Sequence, residues 1–178
     1  MIFALKSQGI EEPSFLNLFA YTGGASIAAR AAGAKVTHVD SLKQLVTWAN
    51  ENQSLNRLSD IRWVVEDALK FAEREGKRGN RYHGIILDPP SWGMGPKGEK
   101  WKLEEQINSL FKAVADIREE KHFVVINTYS GLSPLQVEAL ARCHFRPQSL
   151  QSGEICLLDS QDKALPLGSL VRFDNLAG

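Results

Sequence analysis

Five apolar runs of strand length alternate with segments of helical periodicity along most of this chain, and that alternation leaves few folds open. Residues 15–19, 35–40, 61–65, 84–87 and 122–129 read as strands. Between them lie helix candidates: an alanine-rich stretch at 25–32 stopped by Gly33, then 42–52 with Ser41 as its N-cap, then 68–75. A longer one spans 103–119, with Leu103, Ile107, Leu110, Phe111, Val114 and Ile117 on one face, and Ser133-Pro134 opens another. Residues 76–81 read as a polar, basic loop, and 92–102 as a glycine- and lysine-rich loop. Two last strand-like runs, 153–158 and 167–173, leave no room for a helix between them and must pair as an antiparallel hairpin. Strands joined through helices run parallel and are covered on both faces. The expectation is an α/β fold: a Rossmann-like, doubly wound, mostly parallel seven-stranded sheet with a C-terminal antiparallel hairpin, residues 1–178 forming one domain.

Composition narrows the function classes. A formal net charge of zero advertises neither nucleic acid nor membrane, and no apolar run approaches the roughly 20 residues that span a bilayer. The two cysteines, Cys143 and Cys156, have no metal-ligand spacing and form no disulfide framework; they fall in a helix and a late strand and are expected to be core residues. No metal, no membrane and a reducing cytoplasmic setting are expected.

Function is expected where the strands end, because ligands of open α/β sheets bind in the crevice outside the carboxyl ends of the strands. Four strand ends there carry suggestive residues. The first is Phe19-Ala20-Tyr21-Thr22-Gly23-Gly24, a turn whose glycines admit a ligand to the backbone and whose following helix offers free N–H groups. It lacks the GxGxxG pattern of a pyrophosphate cradle and suits a bound carboxylate as well. The second is Asp40, placed either to accept from ribose hydroxyls or to be solvated. The third is Glu66-Asp67-Ala68, where Asp67 either meets an exocyclic amine or caps a helix. The fourth is Asp88-Pro89-Pro90-Ser91-Trp92, a rim carboxylate followed by prolines that leave carbonyls outside the ladder, or a stiff turn.

In this order the segments Leu16 through Gly24, His38-Val39-Asp40-Ser41, Glu66-Asp67-Ala68 and Ile86-Leu87-Asp88-Pro89-Pro90-Ser91 resemble class I S-adenosylmethionine-dependent methyltransferases. More narrowly, the chain is similar to the bacterial large-subunit ribosomal RNA methyltransferase branch, and residues 95–105 match one of its subgroups. The resemblance covers about residues 15–173. It implies S-adenosyl-L-methionine as cofactor, with Phe19, Ala20 and Tyr21 to Ala25 on its methionine side and Asp40 with Ser41 at the ribose. It implies Asp67 at the adenine amine, Ala68 near the ring, and Asp88 with the Pro89 carbonyl facing the reacting centre. RNA is the implied substrate, ribosomal RNA first. Pro90, Ser91, Trp92, Lys97 and Tyr129 are its candidate contacts, together with the basic loop 77–81. Lys97, Lys100 and Lys102 around Trp101 offer either phosphate contacts with a stacking face or a solvated loop with its tryptophan tucked into the core.

Two departures from the family pattern matter. Cytosine-C5 enzymes add a cysteine to the ring before methylation. The related RNA enzymes carry it in a Ser-Cys-Ser-like run after the fifth strand, where this chain has Thr128-Tyr129-Ser130-Gly131; another places it after Asp-Pro-Pro, where this chain has Ser91. A nitrogen or oxygen acceptor is therefore expected. The second departure is the apparent absence of the N-terminal RNA-binding parts such enzymes carry. Two competing readings stand beside the first: a cofactor-binding fragment inactive without an RNA-recognition domain, and a nicotinamide-dependent oxidoreductase.

Overall fold

A computed structural model describes residues 1–95, 98, 100–129 and 131–176. A short helix α1 (Ile2–Ser7) leads into β1 (Ser14–Leu18), α2 (Gly24–Ala31), β2 (Lys35–Asp40), α3 (Lys43–Leu55), β3 (Ile61–Val65), α4 (Ala68–Arg78) and β4 (Tyr82–Leu87). A small hairpin, β5 (Trp92–Met94) and β6 (Lys100–Lys102), precedes α5 (Leu103–Ala115), β7 (Arg118–Thr128), α6 (Pro134–Phe145), β8 (Ser149–Leu158) and β9 (Ala164–Asp174). The seven-stranded sheet has the order β3-β2-β1-β4-β7-β9-β8. β1 to β4 and β7 pair in parallel, whereas β9 runs antiparallel between β7 and β8. The expected fold is borne out.

The alternation of β1 explains the two-sided cover. Leu16 and Leu18 point into a core shared with Phe71 of α4, Leu110 and Phe111 of α5 and Phe145 of α6. Phe15, one position out of phase, points into the opposite core with Leu5 of α1, Ala29 of α2, Val36 and Phe123. Each wholly buried phenylalanine contributes about 1.5–3 kcal/mol of transfer free energy. The order β3-β2-β1-β4 reverses direction about β1, so the crevice opens at the carboxyl ends of β1, β2 and β4.

Several local expectations are corrected. The helix expected over 103–119 ends at Ala115, because the backbone at Ile117 accepts from the Tyr82 amide and Arg118 already pairs in β7. Ile117 keeps its buried side chain, so it satisfied the helical pattern without being helical. Ser41 does not cap α3: Leu42 occupies the cap position without a side-chain bond, and Asp40 Oδ1 accepts from the Leu42 amide instead. The basic loop 76–81 is largely the last turn of α4, where Lys77 and Arg78 complement the helix dipole. The loop 92–102 contains the β5–β6 hairpin, and both cysteines are exposed rather than buried. Cys143 falls off the inward face of α6, marked by Val137, Ala141 and Phe145, and Cys156 lies on the edge strand β8. The capping expectation at Ser133 is met by a full capping box with Gln136.

One glycine joins the terminal hairpin to the rest. Gly168 on β9 has φ 155°, and a Cβ there would lie 2.2 Å from the Thr128 carbonyl oxygen and 3.2 Å from Tyr129 Cα. Only glycine lets β9 approach the end of β7 this closely. The adjacent Ser169 hydroxyl donates to the Leu132 carbonyl at 2.9 Å, tying the same loop down. No helix among the described residues is long and apolar enough to cross a membrane.

Candidate active site

The chain leaves β1 through two non-glycine residues in the left-handed region, Phe19 (φ 56°) and Tyr21 (φ 48°). Such conformations cost about 1–3 kcal/mol each and persist where the surroundings hold them. Here the Ala20 amide bonds the Val39 carbonyl at 3.1 Å, and the Tyr21 amide donates to Asp40 Oδ2 at 2.9 Å. Asp40 Oδ1 accepts from Leu42 at 3.0 Å. Burial raises the pKa of Asp40, opposed by backbone donors at Leu42, Tyr21 and Ser41. The acid is thus a bridge between two strand-end loops.

Behind the turn, Gly23 (φ 87°) lies where a Cβ would come within 3.0 Å of Ala49 Cβ on α3. Below it, Asn17 Nδ2 donates to Ser26 Oγ at 3.0 Å, and Ser26 Oγ shares a 3.0 Å bond with His38 Nδ1. His38 is fully buried, its Nε2 has no hydrogen-bond partner, and burial lowers its pKa to about 4. The unfolded chain therefore takes up this proton between about pH 6.5 and 4 while the folded chain does not, so stability rises with pH across that window. We expect about 3 kcal/mol of stability present at neutral pH to be lost as pH falls to 4. Urea unfolding at pH 7 and 4.5 should show His38→Gln losing less than the parent, whereas equal losses would rule the histidine out. His83 and His122, also lowered by burial, act in the same direction in both proteins and cancel.

A cavity of about 780 Å³ lies over these loops. Phe19, Tyr21, Asp40, Ser41, Asp67, Ala68, Asp88, Pro90 and Tyr129, nine residues singled out from sequence, all line it. Ala20, Thr22, Gly23, Gly24 and Ala25 are not among its lining residues, nor are the buried Pro89 and the exposed Ser91 and Trp92. Lys97 lies outside the described residues. Missed were Leu42, Leu45 and Val65, which give the cavity an apolar side next to Ala68. Leu42 and Val65 are 43% and 50% exposed, and both line the cavity, so a bound ligand would cover apolar surface there. A signal was present: each stands beside a strand-end acid, Leu42 after Asp40-Ser41 and Val65 before Glu66-Asp67.

The acids have distinct surroundings. Asp67 caps α4, its Oδ1 accepting from the Lys70 amide at 2.9 Å, so the capping alternative is realised on the cavity wall itself. Glu66 is paired with Arg74. Asp88 Oδ1 accepts from Asn127 Nδ2 at 2.8 Å, and Oδ2 from the Tyr129 hydroxyl at 2.9 Å. Burial, then the Asp88 charge, raises the Tyr129 phenol above its ordinary value. Tyr129 thus stands at the cavity mouth, ring exposed and hydroxyl anchored. Trp101 is only 6% exposed and donates through Nε1 to the Pro90 carbonyl at 2.7 Å, so it is tucked in rather than presented for stacking. Four carboxylates and an apolar side suit a ligand that combines a flat ring, hydroxyl and amine donors, and positive charge.

Known proteins resemble this chain in fold and sequence. A solved structure described as the SAM-dependent methyltransferase from Agrobacterium tumefaciens superposes with a TM-score of 0.87 at 35% identity, over 97% of this chain and 59% of that one. A ribosomal RNA large subunit methyltransferase K/L of Pseudoalteromonas atlantica is 41% identical over 111 residues, 61% of this chain and 15% of its own length. That of Methylococcus capsulatus is 32% identical over 143 residues, 78% of this chain and 19% of its own. The chain therefore spans less than a fifth of the curated relatives it matches. The resemblance to class I methyltransferases of the large-subunit ribosomal RNA branch is borne out. The family model described as Conserved hypothetical protein 95 matches residues 1–95, more than half of the sequence, and the chain belongs to that family.

Proposed function

We propose that this chain binds S-adenosyl-L-methionine in the cavity and transfers its methyl group to RNA, ribosomal RNA in the first instance, at a nitrogen or oxygen atom. The observation that carries the reading is the set of four carboxylates, Asp40, Glu66, Asp67 and Asp88, around an apolar side of one cavity. The four acids outnumber the two lysines of the lining, Lys70 and Lys100, so a cationic sulfonium cofactor suits it better than the pyrophosphate dianion of a nicotinamide cofactor.

The residues fit in detail. In this reading Asp40 would accept from the ribose hydroxyls, Asp67 from the adenine amine, and Leu42, Val65 and Ala68 would cover the ring; all five line the cavity. Tyr21 to Ala25, with the open N-terminus of α2, suit the methionine carboxylate. When bound, the cofactor supplies a methyl group on positively charged sulfur, open to in-line displacement. The chain contributes alignment, which supplies much of the rate of such a displacement. Asp88 is held by Asn127 and Tyr129 at the rim, where its charge would face the cofactor's cationic sulfur, and Pro90 and Tyr129 would border the acceptor's path. Neither cysteine lines the cavity; both sit on the exposed surfaces of α6 and β8, which supports a nitrogen or oxygen acceptor over cytosine C5. The reading places the reaction in the cytoplasm with its RNA.

Calorimetry with S-adenosylhomocysteine and with NAD tests the cofactor; we expect heat from the first and none from the second. Mass spectrometry of ribosomal RNA nucleosides from cells with and without the gene should reveal one methylated nucleoside that disappears with it. A chain that takes up NAD and not S-adenosylhomocysteine is not this enzyme.

A further inference from the structure

The segment after β4 has little support of its own. Its two prolines donate nothing to the sheet, and its inward backbone bond, from the Asp88 amide to the Leu18 carbonyl, is long at 3.4 Å. The β5–β6 hairpin supplies the rest. Trp101 Nε1 donates to the Pro90 carbonyl at 2.7 Å, and the Leu103 amide donates to the Ser91 carbonyl at 3.0 Å. The residue paired across the hairpin from Trp101 is Gly93, so no side chain competes with the indole for the space beneath. The indole also lies against the Phe19 ring, with centroids 4.9 Å apart and planes at 55°. Phe19 is one of the two strained residues leaving β1. Phe19, Pro90 and Trp101 all line the cavity.

We propose that Trp101 is a positioning residue: its indole latches the β5–β6 hairpin to the Pro90 carbonyl and braces Phe19, fixing the turn that carries Asp88 before the cofactor binds. This rests on the cavity being the S-adenosylmethionine site. It also reassigns the Lys-Trp-Lys run. Its tryptophan serves the protein's own backbone, while Lys102 pairs with Glu105 and Lys100 lines the cavity. A hairpin latched in this way forms one wall of the cavity through contacts within the chain itself. Bare prolines would leave that wall to be ordered at the expense of binding.

The test compares the parent protein with Trp101→Phe, which keeps a ring against Phe19 and loses the donor. Trp48→Phe, on an exposed position of α3 outside the cavity, serves as control. Hydrogen exchange by mass spectrometry should rise in residues 88–95 of Trp101→Phe and stay unchanged elsewhere. S-adenosylhomocysteine affinity by calorimetry should fall about 5- to 10-fold, the loss of one hydrogen bond's worth of preorganisation. Unchanged exchange in that segment together with unchanged affinity overturns the latch, and so does a rise in exchange spread evenly over the chain. Should the variant fail to fold, the assigned indole resonances of the parent decide. The Trp101 indole proton should exchange far more slowly than that of Trp48, and equal rates overturn the proposal. A parent that binds no S-adenosylhomocysteine overturns the cofactor reading itself, whatever the exchange rates show.

Discussion

Asp88→Ala is expected to lower methyl transfer by a hundredfold or more while S-adenosylhomocysteine affinity falls only a few-fold. The difference follows from where the carboxylate sits. Its two oxygens are held by Asn127 and Tyr129, donors that come from the end of β7 and the loop beyond. Removing the acid strands both donors beside a position where charge is redistributed during transfer. Loss of one preorganised electrostatic group typically costs 10²–10³ in rate. Asn127 Oδ1 is already buried without a partner, so the amide cannot be satisfied by turning over. Single-turnover transfer to ribosomal RNA and calorimetry on the same preparation separate the two effects. Full activity in Asp88→Ala would reduce the acid to a turn residue.

Asp40→Ala carries the second large effect, and here binding rather than turnover should fail. Affinity for S-adenosylhomocysteine is expected to drop by about 1–3 kcal/mol, roughly 5- to 150-fold, from the loss of acceptors for the ribose hydroxyls. The substitution also orphans the Tyr21 and Leu42 amides, so a stability loss of about 1–3 kcal/mol should accompany it. Asp40→Asn distinguishes the two contributions. An amide oxygen can keep one of the backbone donors, while its NH2 cannot accept from a ribose. Unchanged affinity in both variants would remove Asp40 from the site.

The parallel sheet was legible because its strands are short apolar runs bounded by turn residues, and four of the five parallel strands begin or end within a residue or two of their expected limits. The fifth, β7, starts at Arg118 rather than His122, because its first turn was hidden inside a helical pattern kept up by Ile117. The acids of the cavity were legible for a related reason: strand ends are easily found, although an acid there can also cap a helix, as Asp67 does. The cavity's apolar side was not. Leu42 and Val65 look like ordinary core residues until their exposure is known. Trp101 left two alternatives open in the sequence, a stacking face or a tryptophan tucked into the core; it is tucked in, through a hydrogen bond to a proline carbonyl that leaves no pattern in sequence. Asn127 was missed for the same reason, since its partner Asp88 is thirty-nine positions away.

The place of β9 inside the sheet has a consequence for synthesis. Strands β1 to β4 and β7 can assemble as they leave the ribosome, yet the strand that borders β7 follows it only after α6 and β8. Until Gly168 has been made, nothing presses on the backbone at Thr128 and Tyr129, and β7 remains an open edge. The hydroxyl anchored on Asp88 is therefore among the last parts of the site to be set, although most residues around it come from the first half of the chain. A nascent chain can shape the side lined by Asp40, Leu42 and Val65 early and still lack the finished rim at Asp88.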